Sequence, residues 1–410
     1  MSRPDTQDNS QQNAKQTLHR RLEAELAELN AHSLRRKLRT LSSSGKLVVS
    51  DGRSRLNLAG NDYLALSDHP AIKAAAAQAI KQDGVGSGAS RLVAGHLDIH
   101  GQVEAEFAAF KHAEGALLFP TGYTANLAVL TALPQPGDLI CQDKLNHASL
   151  IDAAKFSPAE VRTYPHHRGQ PDHTKLARLL ERHHLDHPEA MRWIVTDTVF
   201  SMDGDTADLP GLCDLAERFD AVVVVDEAHA TGVLGDTGAG LAELQGVADR
   251  IAITISTASK ALGSLGGIVT ADLIIIDTLI NRGRPFIYST AVPPSQAAAI
   301  GAAIQVIREE PQRQERLQTL SQTIRDQLGE LGWPNLYQTI PTPIIPLITG
   351  EIDAAMALQH RLEERGILAV AIRPPTVALG AARVRLSLRA DLADEDLDGI
   401  VNAVGSPGRS

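Results

Sequence analysis

The stretch TISTASKALGSLGG, Thr254 to Gly267, decides how this sequence is read. It places one lysine, Lys260, among small and hydroxyl residues, directly after the apolar run RIAI and before a cluster of glycines. A surface lysine needs no such setting, since its stem can lie on any apolar patch with the ammonium in water. A lysine that must reach a carbonyl and release its proton needs small neighbours, a strand end to hold it and a desolvated site. The second reading requires that the stretch close a strand of a sheet.

Working outward, the rhythm fits. From about Asn61 to Thr290, helical segments such as HPAIKAAAAQAIKQDG and HGQVEAEFAAFKHAEG alternate with short apolar runs: ALLF, DLICQD, WIVTDTVF, AVVVVDEA, IAITIS and GGIVTA. Alternation of this kind predicts a mostly parallel sheet with helices on both faces, an α/β fold. Residues 1–60 are expected to form a disordered polar leader, an amphipathic helix over about Gln16 to Arg39 and a β-hairpin turning at Asp51-Gly52. Residues 61–292 make the large α/β domain, and 293–410 a linking helix and a smaller α+β domain.

Composition narrows the function classes. With 39 basic and 49 acidic residues, a net charge of −10, the 410-residue chain is unsuited to non-specific binding of nucleic acid or anionic membranes. No apolar run reaches the length of a membrane span. Cys141 and Cys213 make no disulfide framework and match no zinc spacing, so a reducing, cytoplasmic setting is expected and no metal site.

In an open parallel sheet, ligands sit beyond the carboxyl ends of the strands. AVVVV runs into Asp226, Glu227, Ala228 and His229; WIVTDTVF runs into Ser201; IAITIS runs into Thr257 and Lys260. An acid ending so apolar a strand is costly unless a cationic partner meets it, although capping the next helix is the commoner role. LLFPTGYTANLAVL passes from strand to helix through Gly122 and Tyr123, a turn whose free N–H groups suit an anion. Among many histidines, His147 in NHASL lies between strand and helix. HHRG at His166 raises the question of a metal ligand, and HHLDH near His183 reads as a solvated face.

The motifs NDYLALS, GSGASRLVAGH, TGYTAN, NHASL, VFSMDGD, VDEAHATG, TASKALGSLGG and IYSTAVPP, in this order, resemble the α-oxoamine synthases. These are pyridoxal-phosphate enzymes of the aspartate-aminotransferase fold (fold type I). The resemblance implies that Lys260 carries the cofactor covalently, that Asp226 pairs with its pyridine nitrogen and that His147 contacts the ring. It further implies His229 and Ser201 at the ring substituents, and Gly122, Tyr123 and Thr257 chiefly at the phosphate, with Thr290 reaching in from a second subunit of a homodimer. The piece AIRPPTVALGAARVRLSLRA is similar to the branch that joins L-alanine to a pimeloyl thioester, carried by coenzyme A or an acyl carrier protein. In that branch Arg385 would hold the amino-acid carboxylate, and Arg35 and Thr376 would contact substrate. Sister branches that take glycine or serine, and a non-catalytic partner subunit lacking the lysine, are the alternatives. Ala230 stands where the family usually has glycine, a departure that bears on the loop's shape.

Overall fold

The computed structural model describes residues 7–408 apart from 44, 168–169, 335 and 337, and omits the side chains of 7–12, 167 and 170. Of the leader expected to be disordered, residues 1–6 lie outside this description, and from Gln7 onward the chain is helical to Ala31. Once the leucine-bearing turns beyond Thr17 form, adding Gln and Ala residues at one end costs little. The helix also stops earlier than the charge pattern suggests. Ser33 takes a φ of 55°, and the N–H groups of Leu34 and Arg35 turn back onto the Leu29 carbonyl, closing the end.

The six apolar runs become strands of one sheet, and EVRTY adds a seventh at its edge. Their spatial order is Gly115–Phe119, Gly267–Ala271, Ile253–Thr257, Ala221–Asp226, Arg192–Asp197, Leu139–Asp143 and Glu160–Tyr164. All neighbours run parallel except Gly267–Ala271, which is antiparallel to both of its partners. The mostly parallel α/β sheet is therefore borne out. Successive side chains point to opposite faces. Val223, Val225, Ile194 and Ile268 accordingly pack into one core, and Val224, Val195 and Val269 into another. Burying each such side chain on both faces is worth roughly 1.5 to 3 kcal/mol, which explains why these runs do not alternate with polar residues. Helices Gly122–Ala132 and Ala148–Phe156 cover the second face, Asp98–Phe110 and Pro294–Glu309 the first.

One helical reading changes. His183 lies on the helix His173–Asp186 in line with Leu176 and Leu180, and it is 6% exposed with Nε2 at 3.0 Å from the Gly137 carbonyl. The HHLDH segment thus turns one histidine inward, where helical spacing aligns it with the two leucines, instead of forming a wholly solvated face.

The C-terminal part holds an antiparallel sheet of Ile344–Gly350, Ala382–Ser387 and Val370–Ile372, backed by the helices Ile352–Glu364 and Asp394–Val404. The N-terminal hairpin, Leu47–Ser50 with Arg53–Asn57, joins this part in space. Its second strand pairs in parallel with Ile367–Leu368.

Glycine is required where the sheet meets the start of the helix Gly122–Ala132. A Cβ on Gly267 would lie 2.3 Å from the Thr121 carbonyl oxygen and 2.6 Å from the Gly122 nitrogen, both backbone atoms. Gly267→Ala should lower stability by about 1 to 3 kcal/mol. Gly329→Ala, in the helix Gln312–Glu330 with nothing within 4 Å, should raise it by about 0.5 to 1 kcal/mol. Thermal unfolding of the two variants checks the pair; a neutral Gly267→Ala would mean that the two backbones are not in close approach.

Candidate active site

Asp226 ends the central strand and is 5% exposed. Its Oδ2 accepts from the Asn126 side chain at 2.7 Å and its Oδ1 from the Ala228 N–H at 2.8 Å. Asn126, on the buried side of the helix Gly122–Ala132, also donates to Ser149 Oγ at 2.8 Å. Ser149 Oγ lies 2.7 Å from His147 Nδ1, which also accepts from the Ser149 N–H at 3.2 Å. Because a backbone N–H donates to Nδ1, that nitrogen is the acceptor and any imidazole proton sits on Nε2. A continuous chain of bonds thus runs from Asp226 through Asn126 and Ser149 to His147.

His147 starts the helix Ala148–Phe156 and keeps an exposed face. Desolvation by the surrounding protein nevertheless pushes its imidazole below the usual range, helped by the Lys260 charge and opposed by Asp226. Its N–H donates to Asp197 Oδ2 at 2.5 Å. Asp197 ends the neighbouring strand, is 4% exposed, and has its carboxyl pushed well up, first by burial and then by the Asp226 charge. Lys260, just past the strand Ile253–Thr257, is partly buried. Burial lowers its pKa, the carboxylates of Asp226 and Asp197 work against that, and Arg385 adds to it.

On the other side of the lysine, His229 is buried with Nδ1 at 2.7 Å from the Tyr63 hydroxyl. Burial, then Lys260 and Arg385, hold this imidazole well below its ordinary value, so it is neutral. Burial pushes the Tyr63 phenol up to about 12, which keeps its proton available for donation. The Tyr63 oxygen also lies 3.2 Å from Asn61 Oδ1, which in turn accepts from the guanidinium of Arg385. Arg385 further binds the Ser201 carbonyl at 2.8 Å and Ser387 Oγ at 3.1 Å. A guanidinium has five N–H donors, so these bonds leave it capacity for a carboxylate.

Thr257 is buried at its strand end, 2.8 Å from Ser259 Oγ and donating to the Gly266 carbonyl at 3.0 Å. Beside it begins the helix with Gly122. A Cβ on Gly122 would sit 3.5 Å from Thr257 Cβ, so the helix start and the hydroxyls share one corner. Tyr123 is exposed and donates to Asp152 at 2.8 Å. A cavity of about 450 Å³ opens at Lys260, with Ser43, Asn57, Asn61 and Ser259 in its wall beside apolar Leu41 and Ala59.

Thr290, Arg35 and Thr376 make no hydrogen bond to the site residues above. Thr290 is exposed and bridged through its backbone to Ser90. Arg35 is exposed, and it is the adjacent Arg36 that donates to Thr376 Oγ1, at 3.2 Å. Arg373 ties the same loop to the Ser33 carbonyl. Sequence reasoning missed Asp197, Asn126, Ser149, Tyr63 and Asn61. Asp197 had a usable signal, since RWIVTD ends in an acid as AVVVVD does. The others lie within NDYLALS, TGYTAN and NHASL without being singled out: Asn126, Tyr63 and Asn61 meet partners from distant parts of the chain, and Ser149 reads as an ordinary first-turn helix residue. No group of metal-ligating side chains occurs among the described residues, and no helix there is long and apolar enough to cross a membrane.

Comparison with known proteins places this geometry. A family described as "Aminotransferase class I and II" matches residues 53–404. The chain belongs to that family. Curated relatives include a putative 8-amino-7-oxononanoate synthase of Geobacillus kaustophilus, 45% identical over 95% of this chain and 97% of the relative. The 8-amino-7-oxononanoate synthase of Geobacter sulfurreducens is 42% identical over 95% and 98%. Among solved structures, a serine palmitoyltransferase from S. paucimobilis with bound PLP and myriocin aligns with a TM-score of 0.87 at 26% identity, covering 93% of this chain and 95% of that one. The 8-amino-7-oxononanoate synthase of Francisella tularensis aligns at 0.71 with 27% identity over 85% and 96%. The fold and enzyme class implied by the motifs, a pyridoxal-phosphate-dependent acyltransferase of fold type I, are borne out by these relatives.

The residues present fit pyridoxal phosphate. Asp226 has two of a carboxylate's roughly four acceptor positions filled, which leaves room for a ring N–H. The helix start beside Thr257 and Ser259 suits a phosphate, and Lys260 has the lowered pKa that an amine needs to react with a carbonyl.

In cofactor-free protein, the Lys260 amine should titrate below the surface lysines, read by NMR after 13C-methylation of lysines. Arg385→Ala removes a cation and should move that titration upward. A Lys260 that titrates together with the surface lysines would contradict the site's electrostatics.

Proposed function

We propose that this enzyme condenses L-alanine with a pimeloyl thioester, releasing carbon dioxide and the carrier thiol, to give 8-amino-7-oxononanoate. The observation that carries the reading is the meeting of Lys260 and Asp226 at adjacent strand ends, in a chain whose 42–45% identical relatives bear that product's name. When bound, the cofactor's protonated pyridine ring acts as an electron sink for the electron pair left at the amino-acid Cα.

Lys260 would anchor the cofactor and, as a free amine, would take and return protons at the amino-acid Cα. Asp226 keeps the pyridine nitrogen protonated by charge attraction in a dry site, and Asn126 holds that carboxylate in place. His147 contacts the ring, its Nδ1 fixed by Ser149. His229 and Ser201 serve the ring substituents, and Gly122, Tyr123 and Thr257 the phosphate. Thr290 completes the site from a second subunit, so the working form is a homodimer, in the cytoplasm. Arg385 binds the alanine carboxylate with its spare donors. Thr376 and the neighbouring arginines, Arg35 and Arg36, meet the acyl substrate. The cavity's mixed wall supports an acyl chain of methylenes ending in a polar group, carried by coenzyme A or an acyl carrier protein.

A sister reading, condensation with serine and a long acyl chain, draws on the higher TM-score to serine palmitoyltransferases. Assaying purified holoenzyme with alanine, glycine and serine against pimeloyl, succinyl, acetyl and palmitoyl thioesters separates the two. Alanine with pimeloyl should be fastest, and glycine slower by about 10- to 200-fold, the worth of one methyl. Faster turnover of serine with palmitoyl would replace this reading with its sister.

Lys260→Ala should abolish turnover with the circular dichroism unchanged. Asp226→Asn should lower kcat by several orders of magnitude, a size typical of lost preorganised charge. Activity of Asp226→Asn within tenfold of wild type would reduce Asp226 to a helix cap.

A further inference from the structure

His166 has no part in the chemistry above, yet it is the centre of an enclosed charged cluster near it. Its side chain is 2% exposed, with Nδ1 at 2.9 Å from Asp143 Oδ2 and Nε2 at 2.8 Å from Asp205 Oδ2. A carboxylate only accepts, so both ring nitrogens donate and the ring is a cation. With both nitrogens protonated, no lone pair is left for a metal, which answers the question that HHRG raised.

The two aspartates belong to two turns that carry substrate-site residues. Asp143 ends the strand Leu139–Asp143, accepts from the Leu145 N–H at 2.8 Å, and leads through Asn146 to His147. Asp205 closes the turn after Phe200, whose N–H donates to the Asp205 carbonyl at 3.0 Å and whose ring lies edge-to-face with the His166 ring, centroids 4.4 Å apart. Within that turn the Ser201 carbonyl receives Arg385. The turn is gripped from the C-terminal sheet as well: Arg383 pairs with Asp203, and Thr342 donates to the Gly204 carbonyl at 2.6 Å.

We propose that His166 is a positioning residue that ties the His147 turn to the Ser201–Asp205 turn and thereby sets amino-acid binding at Arg385. Without it, the buried Asp143 and the partly buried Asp205 lose their shared cation, and the turn under Arg385 is held from the C-terminal side alone. Burial by itself would depress the His166 pKa, but the two carboxylates outweigh it and lift it to about 9. The charged and titratable groups facing the ring are Asp143 and Asp205, with the Asp203–Arg383 pair beyond Asp205 and Tyr164 beside Asp143. Because the folded value is the raised one, the tie is at full strength below about pH 6.5 and is lost as pH rises through about 9.

The inference rests on the reading of Arg385 as the carboxylate site. Histidine 15N NMR of the holoenzyme should show both His166 ring nitrogens protonated at pH 7.5, with titration near pH 9; a neutral ring at pH 7.5 overturns the proposal. In His166→Gln, calorimetric alanine binding should weaken at least tenfold, while kcat at saturating alanine stays within about threefold. Binding within twofold of wild type overturns it. Should His166→Gln not fold, Asp205→Asn keeps the histidine and removes one carboxylate. It should weaken alanine binding and lower the His166 titration, and wild-type binding there equally refutes the tie. Arg385→Ala separates the two levels. If it leaves alanine binding intact, the carboxylate-site reading fails; if it weakens binding but His166→Gln does not, only the present proposal fails.

Discussion

The structure depends on a carboxylate kept in a place that disfavours it. Asp226 ends a strand of four consecutive valines and is 5% exposed, so an unpaired charge there would cost several kcal/mol. Two N–H donors, one from Asn126 and one from Ala228, offset part of that cost, and the Lys260 ammonium faces it across the strand ends. The parallel sheet makes the arrangement possible because it delivers Asp226, Asp197 and Thr257 to one edge. The antiparallel strand Gly267–Ala271 brings the chain back past the lysine against the turn at Thr121 and Gly122. Small residues around Lys260 follow from this close approach as well as from the need to admit a cofactor.

The same charges set the protonation states around them. Asp197 is pushed towards its neutral form by burial and then by the Asp226 charge, while His147 and His229 are pushed towards theirs by burial and by Lys260. Two neutral imidazoles, a neutral Tyr63 and a lysine of lowered pKa leave Arg385 as the fixed cation on the far side. Arg385 comes from the C-terminal sheet, and the N-terminal hairpin is stitched to the same part through Ile367–Leu368. On the proposed reading, the substrate side of the site is built from both ends of the chain, and the cofactor side from the large sheet between them.

This division explains what was legible in the sequence. The sheet could be read because strands buried on both faces are uninterrupted apolar runs, and the residues at their ends could be read because each run stops at a polar group. Lys260, Asp226, Thr257 and Gly122 were visible on that ground, and Asp197 was equally visible but overlooked. Asn126 could not be read, being one amide within an apolar helix whose partner lies 100 residues away. Tyr63 and Asn61 depend on contacts 166 and 324 residues distant in sequence. The exchange of Arg36 for Arg35 beside Thr376 turns on where a helix stops, which the left-handed Ser33 decides and the charge pattern did not reveal. His183 faced inward for a similar reason, one position of helical phase in a polar segment.

The account's central claim is that Lys260, placed by the sheet beside Asp226, is the residue that carries the cofactor. Reduction of the purified yellow holoenzyme with borohydride, followed by peptide mass spectrometry, tests this most directly. The pyridoxyl group is expected on the peptide containing Lys260 and on no other lysine. Modification of a different lysine, with Lys260 unmodified, would contradict it.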